Sequence, residues 1–206
     1  QANPLLTAAQ TEMSRALNEL SLPDQPTPYW IGVELSEGRY HYATAKNGAL
    51  FSYYEGEVQS ARIEVRVGSP EFDNGNFNAS GAQGVISRSM PTQDLELALR
   101  QELWLGLDKA YKSAVEAYSE KQAAFEGRDY PQKIELLPAK VETTPFYEPI
   151  IQDDWTADFA SQLSAVFLDF TFLEDHQVLL YSEDAAEHYI NTEGFSISQP
   201  STEVLI

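Results

Sequence analysis

In two runs, residues 29–36 and 62–67, apolar side chains fall at every second position, and this constrains the fold more than any other feature. Tyr29, Ile31, Val33 and Leu35 alternate with Trp30, Gly32, Glu34 and Ser36, and Ile63, Val65 and Val67 alternate with Arg62, Glu64 and Arg66. Period two with one charged face predicts antiparallel strands covered on one side and wet on the other. Turn chemistry falls between the runs at Glu37-Gly38, Asn47-Gly48 and Glu55-Gly56. Asn-Gly suits a two-residue hairpin, whose central residues both need positive φ. The reading is a four-stranded meander at about 29–37, 39–46, 49–55 and 58–68.

The flanking segments change period. Leu6, Ala9, Met13, Ala16, Leu17 and Leu20 recur at spacings of three and four, which predicts a helix from Pro4 to Leu20. Asn3 is its expected N-cap and Pro4 its first residue, where a missing N–H costs nothing. A long helix is expected from Thr92 to Phe125, with Leu95, Leu99, Leu103, Leu107, Ala110, Ala114 and Tyr118 as its buried stripe. Thr92, Gln93 and Asp94 supply capping chemistry at its start, and Gly127 closes it. A third helix is expected after Asp153 or Asp154, with Trp155, Phe159, Leu163, Val166, Phe167 and Phe170 inward. Two strands follow at about 176–182 and 187–198. The fold class is therefore α+β: an antiparallel sheet (four-stranded meander plus C-terminal strands) packed by one long and two shorter helices. A single domain over 1–206 is expected, with residues 128–150 as a proline-containing connection.

Charge and cysteine content narrow the functional classes. Thirteen Lys and Arg stand against 32 Asp and Glu, a net charge of −19, while aromatics make up 12% of the chain. The aromatics argue for a folded core, and the charge argues against binding phosphate backbones or anionic lipid. The expectation is no nucleic-acid partner and no membrane insertion, since no run approaches the roughly 18–20 apolar residues that span a bilayer. With no cysteine, thiolate nucleophiles and Cys-based zinc sites are ruled out.

The remaining chemistry is thin. His41, His176 and His188 form no metal-ligand spacing, and packing or surface roles suit them better. Asp73, Asn74, Asn76 and Asn78 superficially resemble a calcium loop, but no register places Gly sixth and Glu twelfth; turn-forming Asn and Gly are the simpler reading. The glycines make neither nucleotide-binding motif, and no serine sits in a nucleophile elbow. The acidic runs Gln152-Asp153-Asp154 and Glu183-Asp184 read as solvated caps and turns. Tyr29, Tyr40, Tyr42, Tyr53 and Tyr54 either form a binding surface or divide between core and rim, the second being favoured. Residues 69–92 lack a clear element. Loops of that length are commonly functional, so Phe72, Asp73, Asn74 and Asn76 become candidate binding residues.

Several segments together resemble the N-terminal part of the TldD/PmbA family, the "modulator of DNA gyrase" metallopeptidases, and especially its exported members. They are Pro28-Tyr29-Trp30-Ile31, Arg62-Ile63-Glu64-Val65-Arg66-Val67-Gly68 with Phe72-Asp73-Asn74, Leu103 to Lys112 in the long helix, and Ile190-Asn191-Thr192-Glu193-Gly194. The last is similar to the family's Asn-Ser-Glu-Gly turn and adds Asn191 and Gly194 to the candidate binding residues. The resemblance implies a domain that helps to form a peptide-accommodating cleft. It also implies that zinc belongs to a C-terminal half carrying a His-Glu-x-x-x-His motif. No such ligands lie in these 206 residues, so no catalytic residue, metal ligand or cofactor is expected in this chain. The expected function is a substrate-holding or assembly domain of a peptidase-like protein, whether a fragment of it or a relative lacking the zinc half. A stand-alone exported binding module without enzymatic activity is the alternative. Expected partners are a peptide or protein, including a catalytic half or partner subunit, with oligomerisation open and an exported or periplasmic location.

Overall fold

The computed structural model describes residues 3–79, 81, 83–93, 95–127, 155–173 and 175–206. The proline-containing connection and the acidic run at 152–154 lie outside these residues. Helix α1 spans Pro4–Glu19. Strands β1 (Pro28–Lys46), β2 (Ala49–Ser69), β3 (Phe72–Asp73) and β4 (Val85–Ser89) follow, then helices α2 (Glu96–Phe125) and α3 (Thr156–Val166). A 3-10 turn over Phe167–Asp169 leads to β5 (Val178–Asn191) and β6 (Ser196–Leu205). The strands form a six-stranded sheet in the order β3-β2-β1-β5-β6, with β4 also pairing β2. This is the expected antiparallel α+β class.

The four-strand meander is corrected to two long strands joined by one hairpin. Asn47 (φ 52°) and Gly48 (φ 78°) both take the positive φ that this turn demands. Glu37-Gly38 and Glu55-Gly56 are instead interior to β1 and β2. Their glycines answer to crowding: a Cβ on Gly38 would lie 2.7 Å from the Asp184 carbonyl oxygen, and one on Gly56 would lie 2.6 Å from the Tyr40 hydroxyl. Turn glycines and close-packing glycines look alike in sequence. The strands expected at 176–182 and 187–198 are redrawn: β5 joins the first to the start of the second, so Glu183-Asp184 is strand and not turn, and the end of the second belongs to β6. Within the expected loop 69–92 the chain forms β3 and β4. Residues Gly68 and Ser69 pair Asp73 and Phe72, and residues 60–64 of β2 pair β4.

The chain divides into two compact units, described separately. The first comprises Gln1–Leu35, Ser60–Pro145 and His188–Ile197. Its core joins Leu5, Ala9, Met13 and Ala16 of α1 to Ile31, Val33 and Leu35 of β1, Ile63, Val65 and Val67 of β2, and Leu99, Leu103 and Leu107 of α2. The Asn3 side chain accepts from the Leu6 amide at 2.8 Å, confirming the cap. Glu12 is buried on the inner face of α1, which the apolar spacing did not anticipate, and Arg100 and Arg15 pair it at 2.6 and 3.4 Å. Tyr111 fixes the segment after α1, accepting from the Leu22 amide and donating to the Pro26 carbonyl. Helix α2 starts later than expected. Leu95 is its exposed N-cap residue, with no side-chain capping bond, and does not join the buried stripe.

The second unit comprises Ser36–Gln59, Phe146–Glu187 and Ser198–Ile206. Ala43, Ala45, Ala160, Val178 and Leu180 form its core, with Tyr53, Leu163 and Phe167 packed against it. The inner face of α3 is corrected: Thr156, Ala160 and Ser164 are buried, whereas Trp155, Phe159, Val166 and Phe170 are exposed. Small residues four apart let the helix approach the strands closely. Thr156 and Ser182 share a 2.8 Å hydrogen bond, and the Gly48 amide donates to the Ser164 hydroxyl at 2.9 Å. No helix among the described residues is long and apolar enough to cross a membrane.

Candidate functional site

The loop carrying Phe72, Asp73, Asn74 and Asn76 is tied into the first unit chiefly through Asp73 and Asn74. Asn74 is buried, and its Oδ1 accepts from the Val67 amide at 2.8 Å. Its Nδ2 donates to the carbonyls of Val65 (3.1 Å) and Gln83 (3.3 Å), replacing a missing strand. Asp73 Oδ2 accepts from the Tyr29 hydroxyl at 2.7 Å, and Oδ1 accepts from the Gly75 amide at 2.8 Å. Lys121, buried on α2, donates at 2.8 Å to the carbonyls of both Asp73 and Gly75. Phe72 packs edge-on against Tyr118 and Phe125, with the Lys121 ammonium 4.9 Å from its ring. Asn76 is exposed and left-handed (φ 52°), as a turn residue should be. Burial, and next the hydrogen bond to Asp73, raises the Tyr29 pKa well above the usual phenol. Asp73 and Asn74 thus hold β2, β3 and α2 together, and their polar atoms point inward.

Asn191 and Gly194 sit elsewhere, at a turn that lines a groove in the same unit. Asn191 Oδ1 accepts from the amides of Glu193 and Phe195, both at 3.0 Å, and Gly194 takes φ 88°. Thr192 couples the turn to β1, its amide donating to the Ile31 carbonyl while its hydroxyl accepts from the Ile31 amide. The groove, of about 250 Å3, is lined by Gln10, Met13, Ser14 and Leu17 of α1 and by Ile190, Asn191, Thr192, Gly194, Phe195 and Ser196. Gln10, Ser14 and Leu17 flank the buried Met13 on one stripe of the helix. Residue periodicity alone did not reveal it, because its partner lies far away in sequence.

None of these lining side chains is charged. In a protein of net charge −19, that selects for a neutral occupant. Gln10, Ser14 and Ser196 offer hydrogen bonds, while Met13, Leu17, Ile190 and Phe195 offer apolar walls. Drug-sized pockets begin near 300 Å3, so this groove suits one or two residues of an extended chain. Beside it, Tyr189 packs edge-on against Phe195 at 5.7 Å. Burial raises the Tyr189 pKa, reinforced by the Glu64 charge.

The histidines do not converge. His41 Nδ1 lies 2.7 Å from the Tyr53 hydroxyl, His176 packs against Phe167, and His188 is buried in β5. No group of three His, Cys, Asp or Glu among the described residues is placed to hold a metal. These residues therefore do not fit the zinc site that the resemblance assigns to a catalytic half. The tyrosines also scatter: Tyr29 binds Asp73 in the first unit, while in the second Tyr40 stacks on Tyr181 and Tyr42 meets Tyr54.

The architecture is a sheet-and-helix scaffold carrying a small neutral groove. It shares the fold of part of TldE from Thermococcus kodakarensis, with a TM-score of 0.54 and 10% identity over 96% of this chain and 37% of that one. The chain therefore spans little more than a third of TldE. Two proteins described as proposed modulators of DNA gyrase are also similar. The one from Thermotoga maritima has 13% identity, a TM-score of 0.42 and coverage of 85% of this chain and 34% of that one. The one from Bacteroides thetaiotaomicron has 14% identity, a TM-score of 0.44 and coverage of 97% and 39%. No protein-family model and no curated protein matches the sequence.

Proposed function

We propose that this chain is a non-catalytic, substrate-holding domain of a TldD/PmbA-like peptidase, and that its groove holds an uncharged segment of an extended peptide. The carrying observation is the fold shared with TldE across 96% of this chain but only 37% of that one, the relation expected of one domain within a larger assembly. The groove supplies the second part of the reading. Its polar groups are spaced along a helix stripe and a rigid turn, and its walls are apolar. The chemistry of bond cleavage belongs to a catalytic half or partner subunit, which supplies the zinc.

Binding of a fluorescein-labelled, end-blocked hexapeptide of Ala, Leu and Ser tests this. Anisotropy should rise on titration with the purified chain. Ser14→Trp, which fills the groove from an exposed helix position, should abolish the rise while leaving the circular dichroism spectrum intact. Equal binding by the variant, or no binding by the parent chain, refutes the reading.

A further inference from the structure

The second unit carries a large exposed apolar surface that the groove does not involve. Leu50 and Phe51 stand just past the β1–β2 turn, and Val166, Leu168, Phe170 and Phe172 follow from the end of α3; Phe51 is 80% and Phe172 76% exposed. These segments adjoin. The Gly48 amide donates to the Ser164 hydroxyl, and a Cβ on Gly48 would lie 3.2 Å from Ala165 Cβ and 4.0 Å from Leu168 Cδ1. Phe170 and Phe172 meet edge to face at 5.9 Å, and Lys46, at the other side of the hairpin turn, pairs with Asp175. Contiguous apolar surface of this kind marks an interaction site, whereas scattered exposed apolar residues do not.

Charge identifies the partner. Among its described residues this unit holds ten Asp and Glu but only two basic residues, Arg39 and Lys46, a net 2 − 10 = −8. Both cations are already engaged, Arg39 with Glu57 and Lys46 with Asp175. Asp169 stands exposed between Leu168 and Phe170, and Asp158 is exposed beside Phe159. We propose that this surface docks a cationic protein surface with an apolar centre, the Phe and Leu side chains burying into it while Lys and Arg answer the carboxylate rim. A second copy would bring a charge of −8 against −8, and an anionic membrane or nucleic acid would meet the same repulsion. The inference is independent of the peptide-holding groove, which lies in the other unit.

The test is anisotropy of a labelled amphipathic helical peptide built from Lys and Leu, titrated with the purified chain at about 0.15 M salt, where surface charges are screened beyond about 8 Å. Its Glu-for-Lys counterpart and anionic phosphatidylserine vesicles serve as comparisons. The Lys-Leu peptide should bind. Phe51→Ser with Phe172→Ser should weaken it roughly tenfold or more, as loss of exposed anchors does. Asp169→Asn, which keeps the apolar side chains, should weaken it less and flatten the salt dependence. Leu97→Ser, at an exposed α2 position of the first unit, should change nothing. Equal binding of the Glu peptide, indifference to the Phe changes, or preference for vesicles would overturn the proposal. So would concentration-dependent dimerisation by sedimentation that Phe51→Ser abolishes, since the occupant would then be a second copy.

Discussion

Replacing Asn74 with alanine removes a side chain that serves as a missing strand. Val67 N–H and Val65 C=O, bonded to it at 2.8 and 3.1 Å, lose this partner in a buried position, while the 3.3 Å bond to Gln83 is the weakest of the three. An orphaned buried backbone group costs about 1–3 kcal/mol, so the variant should lose about 2–4 kcal/mol. With a urea slope of about 2 kcal/mol/M, the unfolding midpoint should fall by roughly 1–2 M with little change in slope. Asn74→Asp separates hydrogen bonding from shape. It keeps the acceptor for Val67 but turns a second oxygen, with no proton, toward the Val65 and Gln83 carbonyls. Protonation restores a donor, so the new carboxyl should have a raised folded pKa. Measured against the parent, the variant should be most stable below the unfolded value of about 3.9 and lose ground as pH rises through the folded one. Urea melts at several pH values, followed by tryptophan fluorescence, give both numbers. An alanine variant within about 0.5 kcal/mol of the parent, a surface-substitution value, or an aspartate variant with the parent's pH profile, would refute the assignment of Asn74 as a buried hub.

Other outcomes follow from the same geometry. Gly38→Ala places a methyl 2.7 Å from the Asp184 carbonyl oxygen and 2.9 Å from Ala185 Cβ. It should force β1 and β5 apart at that point and lower the melting temperature by several degrees, about 1–3 kcal/mol of overpacking; an unchanged melting temperature would return Gly38 to a turn. The raised pKa of Tyr29 means that the unfolded phenol ionises first. Its contribution is complete below about pH 10 and lost as pH rises through the folded value. Tyr29→Phe removes the donor to Asp73 Oδ2 and should be less stable at pH 8; lacking the phenol, it should also show a shallower alkaline loss, measured by thermal melts between pH 8 and 11. An alkaline slope equal to the parent's would assign that loss to other groups.

The fold was legible where one residue type has one physical meaning. Asn3-Pro4 specifies a helix start, and Asn47-Gly48 specifies a hairpin because both residues take positive φ. It was illegible where one residue type serves two ends. Gly38 and Gly56 admit a neighbouring strand and a tyrosine ring, and nothing local distinguishes that from a turn. Hydrophobicity points Trp155 and Phe159 inward, yet Ala160 and Ser164 face the core because close approach of the helix favours small side chains. Nothing local marks Glu12 and Lys121 as buried, since their burial rests on distant partners, Arg100 for the first and the Asp73 and Gly75 carbonyls for the second. Of the candidate site, the turn at Asn191–Gly194 was marked by the family resemblance. The α1 stripe opposite it was not, since pairing across so long a separation is a tertiary fact.

The central claim, that the groove between α1 and the Asn191 turn holds a neutral peptide without cutting it, is tested most directly by an amide NMR titration with the end-blocked hexapeptide. Mass spectrometry of the recovered peptide completes the measurement. Shifts should concentrate at Gln10, Ser14, Thr192, Gly194 and Ser196, with the peptide recovered whole. Shifts centred on the Asp73 loop or the second unit, or a cleaved peptide, would contradict it.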